Sequence, residues 1–99
     1  MSLSKIDVVA ALVALAHERR LSVFRLLVQS GPDGLSAGDI AARLKMQPSS
    51  LTFHTQKLAQ AKLLKAEKIE RQVIYSVQLP MMKAVVGYLT ENCCGGASC

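Results

Sequence analysis

The sequence lacks the features expected of a membrane protein or of a secreted protein held together by disulfides. Its longest apolar run covers residues 8–16 and is followed by His-Glu-Arg-Arg, so it is too short to span a bilayer. No signal peptide is evident at the amino end. No cysteine occurs before residue 93, which leaves the core-forming part of the chain without thiols. We therefore expect a cytoplasmic protein whose cysteines are reduced and functional.

Acidic residues are scarce, which favours an anionic partner. The chain has 12 Lys and Arg against 7 Asp and Glu, a net charge of +5 and an isoelectric point near 9.4. With 99 residues it has room for a single domain, small enough that dimerisation would help its stability. A dimer would carry about twice the charge of one chain and would be attracted to phosphates in a salt-dependent way.

Two predicted helices have too much apolar surface for one small chain to cover. Residues 8–16 are apolar on nearly every side, and a helix of this kind must be buried. The last helix opens at Leu79-Pro80 and carries a second apolar set: Met81, Met82, Val85, Val86 and Leu89. We therefore predict a homodimer that forms through the first and last helices.

A helix-turn-helix is predicted in the middle of the chain. Ser36 is a suitable N-cap for the first short helix, and Pro48 suits the first position of the second. At about 100° per residue, residues 47–61 separate into two sides. The side expected to be buried contains Leu51, Thr55, Leu58 and Ala61. The opposite side contains Ser49, Thr52, Phe53, Gln56 and Gln60, with Lys57 at its edge. Because this side has hydroxyls, amides, one aromatic ring and no acid, it suits contact with base edges and phosphates.

An alternating pattern after residue 61 predicts a two-stranded hairpin. Its tip lies near Glu70-Arg71-Gln72 and lacks glycine, so the turn type cannot be predicted. Lys65, Lys68 and Arg71 make the hairpin basic; Lys65 and Lys68 also fit an exposed strand edge that lysine keeps soluble. The predicted fold is therefore a winged helix-turn-helix, with four helices, a hairpin wing and a fifth helix.

The carboxyl end carries all three cysteines: Cys93, Cys94 and Cys99. Three thiolates without a nearby histidine or carboxylate cluster suit a soft, thiophilic ion. Structural zinc normally takes four ligands, whereas trivalent arsenic or antimony takes three sulfurs, which matches the count. We expect residues 1–92 to form the DNA-binding and dimerisation domain and residues 93–99 to form a flexible inducer-binding tail.

Other functions of the tail remain open. A cadmium, lead or zinc sensor would use the same thiols. A redox switch would join Cys99 to Cys93 or to Cys94, because a disulfide between the adjacent Cys93 and Cys94 would be strained. An enzyme is not expected, because the cysteines follow the carboxyl end of a helix, where the dipole disfavours a reactive thiolate.

Three segments resemble the ArsR/SmtB family of metalloregulatory repressors. Residues 15–27, Leu-Ala-His-Glu-Arg-Arg-Leu-Ser-Val-Phe-Arg-Leu-Leu, resemble the second helix of that family. Residues 39–64 resemble its helix-turn-helix, and the wing follows, ending in Val-Ile-Tyr-Ser-Val. Residues 88–94, Tyr-Leu-Thr-Glu-Asn-Cys-Cys, are similar to the arsenic-responsive subgroup with an arsenite site at the carboxyl end.

The resemblance implies a homodimeric repressor that needs no cofactor to bind an inverted-repeat operator. It implies release by arsenite or antimonite bound to Cys93, Cys94 and Cys99, without distinguishing inorganic from organic trivalent arsenicals. The resemblance implies DNA contacts by Ser49, Ser50, Thr52, Phe53 and His54, with Gln56 and Arg71 as supporting candidates. Lys57, at the edge of the same helix side, is a further candidate.

The sequence also departs from the family pattern. Residues 35–40 hold no cysteine, and the last helix lacks the Asp/His set that other relatives use for zinc, so both of those site types are disfavoured. Phe53 replaces a frequent Arg, and Lys62 replaces the usual Gly before the wing. His54 lies about 60° from Leu51, so a structural histidine between helices is an alternative to a phosphate contact. His17 is expected to be a solvated residue at a helix start.

Overall fold

The computed structural model describes residues 3–96 and has the winged helix-turn-helix architecture that the sequence predicts. The described elements are α1 (Lys5–Leu15), α2 (Glu18–Ser30), β1 (Leu35–Ser36), α3 (Ala37–Leu44), α4 (Pro48–Gln60), β2 (Leu64–Ile69), β3 (Gln72–Val77), α5 (Leu79–Thr90) and a 3-10 turn, Cys93–Gly96. None of the helices within residues 3–96 is long and apolar enough to cross a membrane.

Local capping places the helices. The Ser4 hydroxyl accepts a hydrogen bond from the backbone N–H of Asp7, whose carboxylate accepts one from the Ser4 backbone, which is a capping box. Ser36 caps α3 in a similar way by accepting from the Asp39 N–H at 3.1 Å. The short turn between α3 and α4 begins at Lys45 in the left-handed conformation, with φ of 54°. The helix-turn-helix therefore lies where its sequence signals predicted it.

The sheet has one strand more than the predicted hairpin. Its order is β1-β3-β2, and both pairs are antiparallel. The β1 strand has only two residues, too few for an alternating pattern to appear in the sequence. In the hairpin, Ile69 pairs with Gln72, so Glu70 and Arg71 form a two-residue connection, with Glu70 left-handed at φ of 59°. Arg71 is thus at the tip of the wing.

Gly34 allows β1 to approach β3. Its φ is +74°, and a Cβ atom built on it would overlap the carbonyl oxygen of Tyr75. A side chain at this position would therefore have to adopt a disfavoured conformation and displace a strand of the wing.

We expect Gly34→Ala to lower the free energy of unfolding by about 2 to 4 kcal/mol, through left-handed strain and steric conflict with the β3 backbone. Chemical denaturation measures this value. Gly38→Ala is the matched control, because the nearest atom to its Cβ is the Ser36 hydroxyl oxygen at 3.9 Å. Equal effects of the two substitutions would contradict the assignment of Gly34 as the residue that permits the close approach.

One chain leaves much of α1 and α5 exposed. Val8, Ala11 and Ala14 of α1 are buried, and α1 also packs against α5. Five large apolar side chains of these helices are 51–80% exposed: Ile6, Val9, Val13, Val86 and Leu89. We call these five residues the apolar α1/α5 surface. The helix predicted to be buried on all sides is therefore half uncovered in a single chain.

Candidate nucleic-acid interface and thiol turn

The α4 helix has the two sides that the sequence predicts. Leu51, Thr55 and Leu58 are buried, with Thr55 at 0% exposure. The Thr55 hydroxyl has hydrogen bonds of 3.1 Å and 3.0 Å to the carbonyl oxygens of Leu51 and Thr52, so its burial leaves no unpaired polar group. This side anchors α4 against the core and fixes the direction of the opposite side.

Apart from the buried His54, the candidate DNA contacts lie on the opposite side of α4 and at the wing tip. Ser50 is half-buried and Arg71 is exposed at the tip of the hairpin. The candidate DNA contacts on α4 that are exposed are Ser49, Thr52, Phe53, Gln56 and Lys57. The structure thus presents a surface of hydroxyl, amide and cationic groups around one aromatic ring.

Phe53 is the centre of a fixed cluster on this surface. Its side chain is 51% exposed, and the Lys57 ammonium lies over its ring, 5.4 Å from the centroid. The Arg20 guanidinium lies over the same ring at 5.8 Å. The His54 ring meets it edge-on, with 5.5 Å between centroids. Since rings attract cations to their faces, the cluster holds two positive charges beside an exposed apolar surface.

Arg20 is the member of this cluster that the sequence analysis did not single out. It lies on α2, and its Nε atom donates a hydrogen bond of 3.2 Å to Nδ1 of His54. The two residues are 34 positions apart, so no local periodicity connects them. The one available signal was the similarity of residues 15–27 to a family helix, which marked the segment but not the role of this side chain.

His54 lies between α2 and α4 and is only 5% exposed. Its ring is 4.7 Å from that of His17, whose own Nδ1 accepts a hydrogen bond from the Arg19 N–H and caps α2. His17 is exposed at the start of α2, as expected. The His54 side chain is therefore not part of the exposed side of α4, and the structure places it at the seam that positions Arg20 and Phe53.

The environment of His54 favours its neutral form. Burial lowers the pKa of His54 below 6.5, and the nearby His17, Arg20 and Arg19 lower the pKa further by charge repulsion. Protonation would also place a proton on the Nδ1 atom that accepts from Arg20. The seam is thus built for an uncharged imidazole.

We expect acid to destabilise the protein through His54. The unfolded chain binds a proton near pH 6.5, whereas folded His54 resists it, so its stabilising contribution is present above pH 6.5 and is lost as the pH falls towards the lower folded-state pKa. Denaturation at pH 7.5 and 5.5 should show a smaller loss in His54→Gln than in the native protein. His17→Asn, which keeps a capping side chain, should retain most of the loss because burial is the leading cause. An unchanged loss in His54→Gln would contradict this account.

The two described cysteines lie in a tight turn immediately after α5. The 3-10 turn Cys93–Gly96 closes with a hydrogen bond of 3.2 Å from the Gly96 N–H to the carbonyl oxygen of Asn92. Asn92, Cys94 and Gly95 have positive φ values of 56°, 55° and 65°, so the chain reverses direction here. Both cysteines are exposed, and Cys94 is disulfide-bonded.

The predicted set of three thiols extends beyond the described residues, because Cys99 lies outside them. Within residues 3–96, no group of three or more His, Cys, Asp or Glu side chains is arranged to hold a metal ion. The described part of the candidate site is therefore the pair of adjacent cysteines and the turn that presents them.

Comparisons with known proteins agree with this architecture. A family described as "Helix-turn-helix domain" matches residues 15–67. The transcriptional activator HlyU of Vibrio cholerae serotype O1 is 30% identical over 86 residues, which cover 87% of this chain and 77% of HlyU.

Two solved structures have the same fold. A structure described as reduced HlyU from Vibrio cholerae N16961 is 30% identical, has a TM-score of 0.69 and matches 90% of each chain. An ArsR-like transcriptional regulator from Rhodococcus sp. RHA1 has a TM-score of 0.76 at 20% identity, with 92% of this chain and 82% of that chain covered. The range of the family match, residues 15–67, contains α2, α3 and α4 and ends within β2.

Proposed function

This chain belongs to the helix-turn-helix domain family of HlyU-like transcriptional regulators. We propose that it is an ArsR/SmtB-type repressor that responds to arsenite and antimonite and acts as a homodimer. The reduced, metalloid-free dimer binds operator DNA and dissociates when trivalent arsenic or antimony is bound by Cys93, Cys94 and Cys99. The observation that carries the proposal is the position of adjacent cysteines in the turn after α5, the helix that contributes to the apolar α1/α5 surface.

The exposed side of α4 supports DNA binding. Its hydroxyl and amide groups suit base edges, while Lys57, Arg20 and the wing-tip Arg71 suit phosphates. In a dimer, two copies of α4 would enter successive major grooves about 34 Å apart, and each wing would contact the flanking backbone. The operator would then be an inverted repeat.

The apolar α1/α5 surface supports a homodimer. It lies on two helices that pack together, and the exposure of five large apolar side chains to water is unfavourable. A second copy of the same surface covers it with two-fold symmetry. The two α4 helices are then related by a two-fold axis, as are the two half-sites of an inverted repeat. Dimerisation is therefore part of the DNA-binding mechanism and also stabilises the small domain.

The composition of the tail supports a trivalent metalloid as the inducer. Adjacent cysteines in a reversed turn place two soft ligands at one point of the chain, and Cys99 is five residues beyond Cys94. Closing so short a glycine-containing loop costs little chain entropy. Three sulfurs complete the pyramidal arrangement of trivalent arsenic. A disulfide-bonded sulfur cannot be such a ligand, so the proposal concerns the reduced protein.

The position of the turn suggests how binding reaches α4. Metalloid ligation orders the chain at the end of α5, and α5 packs on α1 beside the apolar α1/α5 surface. A small change in the dimer contact would alter the spacing of the two α4 helices. For a 100-fold loss of operator affinity, the coupling free energy need only be about 2.7 kcal/mol.

The identity of the inducer is tested by ultraviolet absorbance of the reduced protein titrated with single ions. We expect a thiolate-to-arsenic absorption band that saturates at one arsenite per chain. Cadmium, lead and zinc serve as comparison ions for the sensor types that the same thiols would allow. Saturation by one of those ions, with no band for arsenite or antimonite, would overturn the metalloid assignment and leave the DNA-binding assignment intact.

A redox-sensing regulator is the second candidate, because Cys94 is disulfide-bonded in the structure and a solved relative is described as reduced HlyU. In this function an oxidant such as hydrogen peroxide accepts two electrons from two thiols, which lose two protons and form a disulfide. Peroxide alone would release the DNA, and mass spectrometry would find a cross-link involving Cys94. The metalloid proposal instead predicts release of the reduced protein by arsenite without any disulfide.

A further inference from the structure

Phe53 is an unusual residue to find at the centre of a DNA-contacting surface, because its ring has no hydrogen-bonding group. Half of its side chain is exposed in the free protein. Exposure of a large apolar side chain in water is unfavourable, and Phe53 shares the exposed side of α4 with Ser49, Thr52 and Gln56 instead of being buried in the core. Burial of the Phe53 ring against an apolar group of a bound partner would therefore be favourable.

The ring is held in place before any partner arrives. Lys57 and Arg20 lie over it at 5.4 Å and 5.8 Å, and the buried His54 contacts it edge-on. Arg20 is in turn held by its hydrogen bond to His54. A side chain fixed by three neighbours loses little conformational freedom on binding, so its contact contributes to affinity with little entropic cost.

The major groove offers one apolar group to such a ring. Its base edges carry hydrogen-bond donors and acceptors, which a phenyl ring cannot satisfy, and the C5-methyl group of thymine, which it can cover. The two cations beside the ring suit the phosphates that border the groove. We propose that Phe53 makes this chain select thymine, through its 5-methyl group, at one position in each operator half-site.

This inference rests on the proposed DNA-binding function, and it is tested with a duplex selected from a randomised DNA pool by the reduced protein. Each thymine of the selected duplex is replaced in turn by deoxyuridine, which differs only in lacking the methyl group. The dissociation constant is measured by fluorescence anisotropy. At one thymine per half-site we expect about a four-fold loss of affinity, the effect of one buried methyl group, and about fifteen-fold when both half-sites are changed.

The protein variants identify which side chain senses the methyl group. Phe53→Ala should bind the thymine and deoxyuridine duplexes equally, with an affinity near that of the native protein for the deoxyuridine duplex. Phe53→Leu keeps an apolar side chain and should retain part of the preference. Thr52→Ser is the matched control, because it removes an apolar methyl group next to Phe53 in sequence, keeps the hydroxyl group, and should leave the preference unchanged.

The outcomes separate this inference from the function on which it rests. A native protein indifferent to every thymine replacement overturns the inference, as does a Phe53→Ala variant that still distinguishes the two duplexes or a Thr52→Ser variant that loses the preference. In each of these cases sequence-selective DNA binding stands. If no duplex is enriched from the pool, the proposed function fails and the inference fails with it. Thermal unfolding of each variant confirms that the fold is retained.

Discussion

Val13→Glu is expected to convert the protein into a monomer and to weaken binding to the selected duplex by about 1000-fold. Val13 is 63% exposed at the apolar α1/α5 surface, and a charge there would be desolvated in the dimer without a partner. A monomer contacts a single half-site, so its affinity falls towards that of non-specific binding. Analytical ultracentrifugation measures the oligomeric state, and anisotropy measures the affinity.

Gln29→Glu is the matched control for this substitution. It adds the same charge at an exposed position of α2 and should leave the dimer intact. A dimeric Val13→Glu variant with normal affinity would show that the subunits meet elsewhere. A monomeric variant with normal affinity would contradict the requirement for two copies of α4 on the operator.

Cys94→Ser is expected to abolish the response to arsenite while leaving DNA binding unchanged. Loss of one of three sulfurs leaves an incomplete ligand set, so the roughly 100-fold release expected of the native protein should fall to less than about two-fold. Cys93→Ser and Cys99→Ser should behave in the same way. Anisotropy with a fixed concentration of the selected duplex and increasing arsenite measures the response.

Asn92→Gly controls for damage to the turn. It alters the same reversed segment, at a residue with φ of 56° that glycine adopts freely, and removes no sulfur. Its arsenite response should therefore be retained. Normal dissociation in all three serine variants would show that the cysteines are not the inducer site, although DNA binding by the family fold would be unaffected.

The parts of the fold that the sequence predicts are those fixed by local chemistry. Capping at Ser36, Pro48 at the start of α4, and the division of α4 into buried and exposed sides depend on residues within one or two helical turns. Lys62 stands where the family resemblance predicts Gly, and it adopts a left-handed conformation with φ of 64°, which glycine reaches most easily.

The features that the sequence does not predict depend on contacts between distant segments. The two-residue β1 exists because Leu35 pairs with Tyr75, forty positions later. Arg20 gains its role only when α2 packs beside α4 and brings its Nε atom to His54. The sequence allows two environments for His54, and the packing of α2 against α4 decides that its ring is buried.

The most direct test of the whole account is the dissociation constant of the reduced protein for the selected duplex, measured with and without one equivalent of arsenite per chain. We expect tight binding without arsenite and about 100-fold weaker binding with it, and a competing dithiol that removes the arsenic should restore the tight binding. An unchanged dissociation constant at a concentration where arsenic occupies the thiols would contradict it.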